Sequence, residues 1–398
     1  MKKITLLLIC MFGSFYLTAQ QFDDSKVPGE VVAYSPASSG KYIGSPSLAI
    51  LPNGDYVASH DLFGPESNEH VRATSKIYTS KNRGKSWNEI AEIDGAFWSK
   101  LFMKQGKLWF LGTDRHHGNT LIRLSEDGGK SWTSPTNGTN GLILEGEYHC
   151  APMPIIEHNG RIWRAMESAM GPIKKWGKRY GAFMLSAPMD ADLLDADSWT
   201  SSNTLYYDST YLDGNFGGWL EGNAVVDKDG QMWDMLRVDD RSTLEEKAAR
   251  VKISEDGKTA TFDPQTGFIE FPGGSKKFTI RYDEVSGLYW TIANLILEEI
   301  KSDIESKNPA GIRNTQALFS SPDLMSWDQR KVLLQHPDIV KHGFQYVDWK
   351  FDGKDIIFLS RTAFEDGFGG ARNNHDANFL TFHRIKKYRK YFEYIPKT

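Results

Sequence analysis

Hydrophobic and polar positions in this 398-residue chain come in short apolar bursts, and the bursts come in pairs. In residues 45–61 an apolar run (Leu48, Ala49, Ile50) meets Pro52, Asn53, Gly54 and Asp55, after which Tyr56, Val57 and Ala58 lead out to His60 and Asp61. Two strand-length runs flanking such a turn predict a β-hairpin. The figure returns at 98–114 about Gln105 and Gly106, at 149–167 about Asn159 and Gly160, and at 221–239 about Asp229 and Gly230. Two further copies span 277–294 about Ser286 and Gly287, and 345–361 about Asp352 and Gly353. A hairpin that recurs along the whole chain predicts a repeat architecture.

A second pattern follows several of the hairpins. Its full form is Ser125-Glu126-Asp127-Gly128-Gly129-Lys130-Ser131-Trp132, with Asn82 replacing the aspartate in the copy from Ser80 to Trp87. Shorter forms begin at Ser254 and Ser321. The chemistry is local: an Asp or Asn side chain caps its own backbone, glycine supplies a positive φ, and Trp covers the turn. In step with six hairpins, these turns resemble the Asp-box repeats of the sialidase superfamily of β-propellers. The resemblance implies an all-β, six-bladed propeller over nearly all of the mature chain, and a seventh blade would fit in 168–215. A short strand at Val31–Tyr34 stands before the first hairpin and Phe379–Phe382 follows the last, so the N-terminal strand is expected to complete the last blade and close the ring.

Composition narrows the setting. Lys2 and Lys3 precede an apolar run over 4–17 that ends in Thr18, Ala19 and Gln20, the pattern of a cleaved secretory signal peptide. The expected organisation is a signal peptide at 1–20 and a single propeller catalytic domain at 21–398, exported to the periplasm or secreted. No later stretch approaches the roughly 20 apolar residues of a membrane span. Beyond the leader only Cys150 remains, so an intramolecular disulfide is excluded and packing must hold the domain. The formal charge of −4 argues against a nucleic-acid partner. The expected partner is a uronate-containing polysaccharide or oligosaccharide, and the expected state a monomer.

Hairpin geometry places a site before any motif does. The start of each first strand and the end of each second strand share one end of the sheet, and the Asp-box turns fall at the other. The polar residues at the shared end include Asp61, His149, Glu221, Asn223, Arg237, Tyr346 and Arg361. Arg115 and Trp219 lie beside them, and long loops carrying His70, His116, His117, Trp176 and His375 leave from the same end. The stretch 297–307 reads as a solvated helical insertion.

Sialidase activity is disfavoured despite the shared repeat, because the first hairpin lacks the family's arginine and no Tyr–Glu nucleophile pair is assigned from the sequence. In sialidases an Arg-Ile-Pro motif supplies a carboxylate-binding arginine, and here Gly44, Ser45 and Pro46 stand in its place. The segments around Tyr42–Leu48, Val57–Asp61, Tyr148–Pro152, Asn159–Ala165 and Trp219–Ala224 resemble exported bacterial propeller enzymes acting at L-rhamnose–α-1,4–D-glucuronate linkages. More distantly the chain is similar to the propeller ulvan lyases. In the closer group a histidine ending the first hairpin is essential, and His60 is the residue that matches it.

The residue types suit uronate chemistry. A lyase must neutralise the uronate carboxylate and supply a base and an acid. The catalytic candidates are His60, His149, Tyr346 and Arg237, and the substrate-binding candidates are Asp61, Arg115, Glu221, Asn223, Arg361 and Trp219. Hydrolysis of the same linkage, α-L-rhamnosidase-like, is the alternative, through Glu221 paired with another carboxylate or through His60 assisted by the substrate's own carboxylate. A non-catalytic glycan-binding propeller is the third reading, and a structural or partner-binding role the fourth. No cofactor is expected. Adjacent His116 and His117 would point to opposite faces of a strand, which leaves room only for a structural divalent metal.

Overall fold

A computed structural model describes residues 22–304 and 308–393, so the leader expected at 1–20 lies outside the described residues, as does part of the 297–307 insertion. The described chain is built almost wholly from antiparallel strands, in two four-stranded sheets, two five-stranded sheets and one of eight strands. The eight-stranded sheet is two blades joined where Tyr148 pairs with Ser168 and His149 with Glu167. The blades therefore number six, and each of the six hairpins supplies the two inner strands of one blade.

The segment 168–215 does not form a seventh blade. Gly181–Pro188 pairs along its length with Arg161–Ser168 and becomes the third strand of the third blade. Thr200–Ser201 adds the fourth. Residues 169–180 lie at the mouth and bring Trp176 to its cavity, whereas the connection from Met189 onward starts at the opposite end, where Met189 N–H donates to the Gly160 carbonyl and the Ala191 carbonyl accepts from Lys104 at 3.4 Å.

The ring closes as the sequence predicts: Glu30–Tyr34 pairs antiparallel with Phe379–Ile385, Glu30 facing Phe382 and Tyr34 facing Phe379. Phe22 stacks on Tyr34 at 4.2 Å, and Tyr34 donates a hydrogen bond to Asp366 at 3.0 Å. The Asp-box turns form as read. Gly129 N–H donates to Ser125 Oγ at 2.8 Å, Ser131 N–H to Asp127 Oδ1 at 2.9 Å, and Trp132 Nε1 to the Gly129 carbonyl at 3.0 Å. In the copy at Ser321, Leu324 takes the glycine's place and adopts φ 66°.

The core lies between blades rather than on the axis. Trp163 and Met184 of the third blade meet Trp219, Leu236 and Ala249 of the fourth, and Leu359 and Phe382 of the last meet Leu48 and Tyr56 of the first. Burying each such side chain contributes roughly 1.5–3 kcal/mol. The axis itself is polar: Asp348 accepts from Lys100 and Arg281 and from the Leu48 amide. Among the described residues no helix is long and apolar enough to cross a membrane.

Candidate active site

The blades present their first strands to the axis, and three alternate blades break strand geometry at the same point. Trp98, Glu221 and Tyr346 have φ of 45°, 54° and 53°. Each lies where its strand's register slips against the next strand, between Phe97 and Lys100, Leu220 and Asn223, and Gln345 and Asp348. Positive φ in a non-glycine residue costs on the order of 1–3 kcal/mol, and a bulge of this kind re-aims a side chain. All three side chains are aimed into one cavity of about 410 Å³ at the mouth.

Four arginines line this cavity: Arg241 is exposed and paired with Asp239 at 3.2 Å, and the other three are buried. Arg361 lies over Phe63 at 4.3 Å and over Tyr346 at 4.7 Å, with Nε donating to the His375 carbonyl at 3.1 Å. Arg313 sits 5.5 Å from the Tyr346 ring and donates to Gln345 Oε1 at 2.6 Å. Arg237 donates to Glu221 Oε2 at 3.0 Å and lies over Trp176 at 5.6 Å, with its Nε unpartnered. Burial lowers Arg361, and lowers Arg313 to about 10. For Arg237 burial also pulls down, but Glu221, Tyr346 and Asp239 together outweigh it and the guanidinium is raised. All three remain cations at neutral pH. Tyr346 therefore stands among guanidinium groups of the fourth, fifth and sixth blades.

Asp61 enters from the first blade. Its Oδ1 accepts from the Trp98 amide at 3.2 Å, while Oδ2 is buried without a partner. Desolvation pushes this carboxyl up to about 7, against the pull of Arg361 and the Trp98 amide. Gly44 explains how it fits: a Cβ at position 44 would collide with Asp61 Oδ2. The carboxyl thus fills the space beside the position where the sialidase motif has its arginine.

His149 ends the outer strand of the second blade. Its Nδ1 is 2.8 Å from Glu167 Oε2, and Glu167 Oε1 accepts from the Gly222 amide at 3.1 Å. With Nδ1–H donated to the carboxylate, Nε2 carries the lone pair. The ring is wedged between Trp98 at 4.3 Å and Tyr180 at 4.5 Å.

Six of the sequence candidates line the cavity together: Asp61, His149, Glu221, Arg237, Tyr346 and Arg361. Four do not. His60 points away from the mouth, with Nδ1 2.9 Å from its neighbour's carbonyl and Nε2 3.3 Å from the Tyr78 hydroxyl. Consecutive strand residues face opposite ways, so His60 is turned from the mouth that holds Asp61 and instead lines a second cavity with Lys76, Tyr78 and Glu89. Trp219 is core, packed on Phe216 and Phe262 with Nε1 donating to the Leu205 carbonyl at 3.1 Å. Asn223 stitches blades together: its Oδ1 accepts from the Ile280 amide at 2.9 Å and its Nδ2 donates to the Phe278 carbonyl at 3.3 Å. Arg115 pairs with Asp114 at 3.2 Å outside the lining.

Sequence reasoning missed Arg313. It stands two residues before the strand Thr315–Ser321, where the connection between second and third strands returns from the mouth. A buried cation was legible there only from loop topology, since no motif surrounds it. Trp98, Trp176 and His375, noted in the sequence as mouth residues, also line the cavity.

No protein-family model and no curated protein matches the chain; solved structures do. An α-L-arabinanase of Penicillium chrysogenum, complexed with arabinobiose, is 14% identical, with 90% of this chain and 97% of that chain covered at a TM-score of 0.53. A protein of unknown function from Dyadobacter fermentans is 14% identical over 90% of this chain and 98% of its own, with a TM-score of 0.59. A Trypanosoma rangeli sialidase in complex with sialic acid is 14% identical over 89% of this chain and 57% of that one, with a TM-score of 0.56. The fold is that of the sialidase-type β-propellers. At these identities the likeness is one of fold.

Proposed function

We propose that the chain is an exported enzyme that hydrolyses a glycosidic bond next to a carboxylate-bearing sugar. One observation carries this reading: Arg237, Arg313 and Arg361 gather around Tyr346 and Glu221 in the cavity that also holds Asp61. Guanidinium groups hold a carboxylate in a fixed plane. The sugar's carboxylate pairs with the arginines, which brings its anomeric carbon to the centre of the cavity.

Asp61, protonated below about pH 7, gives its proton to the departing glycosidic oxygen. Tyr346 attacks the anomeric carbon as Glu221 takes the phenolic proton, which forms a glycosyl–tyrosine ester-free ether link and breaks the bond to the leaving group. Water then attacks the anomeric carbon as Asp61 takes its proton, the bond to the phenolic oxygen breaks, and Glu221 returns its proton to that oxygen. A tyrosine suits this task, because a carboxylate nucleophile would meet the substrate's negative charge, and tyrosine nucleophiles are known among glycoside hydrolases. The linkage class implied by the family resemblance, rhamnose–uronate, is one carboxylate-bearing substrate this cavity would accept. The fold neighbours add sialic acid and arabino-oligosaccharides as substrates to try.

One observation favours β-elimination as the second reading: Glu167 fixes His149 with Nε2 free as a base. In that case the arginines neutralise the uronate, His149 removes the C5 proton, and Tyr346 protonates the leaving oxygen.

The test is product analysis on rhamnose–glucuronate oligosaccharides, ulvan fragments, arabinan and sialosides. Hydrolysis releases a reducing sugar of retained configuration, seen by proton NMR. Elimination instead gives an unsaturated uronate with its ultraviolet absorbance. Binding without turnover on every acidic substrate would reject both reactions in favour of a recognition module.

A further inference from the structure

We propose that Glu69, His70 and His116 form a zinc-binding site at the rim of the mouth, with an open coordination position facing the cavity. One ligand atom from each side chain already lies within 4.8 Å of the other two, and His70 Nε2 is 3.1 Å from Glu69 Oε1. Zinc bonds of about 2.0–2.1 Å in a tetrahedron set the donors roughly 3.3–3.5 Å apart. The Glu69–His70 pair has about that spacing already. His116 must approach by up to about 1.5 Å, or the exposed His70 side chain must turn toward it.

The ligands come from two blades, and the backbone beneath them is fixed. His116 N–H donates to the Glu69 carbonyl at 2.7 Å, and Ala73 N–H donates to the Asp114 carbonyl at 3.0 Å. These bonds clip the loop of the first blade to that of the second. The sequence led to His116 and His117 on opposite faces of a strand; instead His117 takes φ 56° and the two rings meet at 4.1 Å. His117 then hydrogen-bonds to the Tyr180 hydroxyl at 2.9 Å, while the His116 ring lies 4.9 Å from that of His70. A simple ion pair accounts for Glu69 beside His70, but not for a second imidazole arriving at the same point from the next blade.

Two imidazoles and a carboxylate with one position open form a donor set that zinc uses where it meets a substrate. Glu69 and His116 both line the cavity, so that position faces the space a sugar would occupy. The suggestion that a sugar oxygen fills it rests on the proposed enzymatic reading; zinc binding itself does not.

A second cluster, His336, His342 and Glu365, meets the same distance criterion, but its ring nitrogens are already engaged and its rings are closer together: His342 Nδ1 is 2.9 Å from Asp338 Oδ2, and the two rings overlap at 3.5 Å, against 4.9 Å for His70 and His116. His336 Nδ1 is further occupied by the Asp338 amide at 3.1 Å. This cluster serves as the internal control.

The experiment is calorimetric titration of the untagged mature chain with Zn²⁺, together with visible spectroscopy of the Co²⁺ form, on wild type, Glu69→Gln, His70→Ala and the control Glu365→Gln. One equivalent of zinc is expected for wild type and the control. In Glu69→Gln and His70→Ala the affinity is expected to fall by more than about 100-fold, beyond the 10- to 100-fold effect of outer-shell changes, and the Co²⁺ bands of a four-coordinate site should vanish. A wild type that binds no zinc would overturn the proposal, as would binding that survives both ligand variants or disappears with Glu365→Gln. Because these readouts do not use turnover, zinc binding and glycan cleavage can fail separately.

Discussion

His60 and Asp61 are consecutive residues on one strand, and their side chains are buried on opposite sides of it with opposite electrostatic consequences. Burial lowers the imidazole to about 4 and raises the carboxyl to about 7. A group lowered on folding contributes stability above its unfolded pKa that is lost as pH falls; a group raised on folding contributes stability at low pH that is lost as pH rises. His60 therefore destabilises the fold as pH drops from about 6.5 toward 4, and Asp61 as pH climbs from about 4 toward 7. Thermal unfolding across this range is expected to show His60→Gln gaining on wild type toward acid and Asp61→Asn gaining toward neutral. Parallel curves for wild type and both variants would refute the assignment of the two shifts.

Activity should separate the same pair. Asp61→Asn keeps the shape of the side chain and removes its proton, so a loss of about 10²–10⁴-fold in kcat is expected, against a change of only a few fold in His60→Gln. For wild type, kcat should fall as pH rises through about 7, where the acid ionises. A pH–rate profile that stays flat to pH 9 in wild type would remove Asp61 from the role of acid.

Arg361 gives a test of what the mouth holds. Its guanidinium is stacked between Phe63 and Tyr346, a position where lysine keeps the charge but loses the plane and the fork. Arg361→Lys is expected to raise KM for a carboxylate substrate by about 10- to 100-fold, the range of a charge-assisted hydrogen bond of roughly 1.5–3 kcal/mol. The methyl ester of the same substrate should bind wild type and variant alike. Equal losses on acid and ester would mean that Arg361 does not read the carboxylate.

Glu167→Gln tests the orientation of His149. The amide still accepts from Gly222 through its oxygen, but its NH₂ then faces Nδ1 and forces the proton onto Nε2. An elimination that needs Nε2 as base should drop by at least about 10²-fold, with the melting temperature little changed. Hydrolysis through Tyr346 and Asp61 should fall far less, so the variant also discriminates between the two reactions.

The sequence showed the six hairpins, the capped turns, the closing strand and the end at which the mouth cavity opens, because each is written in local chemistry: turn residues, alternating apolar runs and side chains that bond to their own backbone. Which side chain enters the cavity was not local. Trp219, Glu221 and Asn223 are spaced two apart and would share one face of a regular strand. The bulge at Glu221 breaks that rule, sending Glu221 to the mouth while Trp219 packs in the core and Asn223 bonds to the fifth blade. Without the bulge, period-two reasoning groups all three. At His60 and Asp61 the alternation holds, but its phase is set by tertiary register, which no residue type there reveals. Arg313 was hidden for a third reason, since the loop that delivers it has a path fixed only by contacts with Gln345 and its neighbours.

Gly84 offers a check on ring closure. It has φ 90°, and a Cβ there would strike the Phe382 ring on the last blade. Gly84→Ala should destabilise the protein by about 1–3 kcal/mol through overpacking, with a further cost for the left-handed backbone of roughly 1–2 kcal/mol. Denaturant unfolding measures this directly. An unchanged midpoint would mean that the first and last blades are not in contact there.

The pairing of Glu30–Tyr34 with Phe379–Ile385 joins strands made at opposite ends of synthesis. The first must wait, unpaired, until the ribosome has delivered nearly all the rest, and every chain that stops early keeps an open strand edge in place of a finished rim. Such an edge invites pairing with another molecule. Nonsense and frameshift products lacking Phe379–Ile385 are therefore expected to pass into aggregates or to proteolysis rather than to persist as five-bladed fragments.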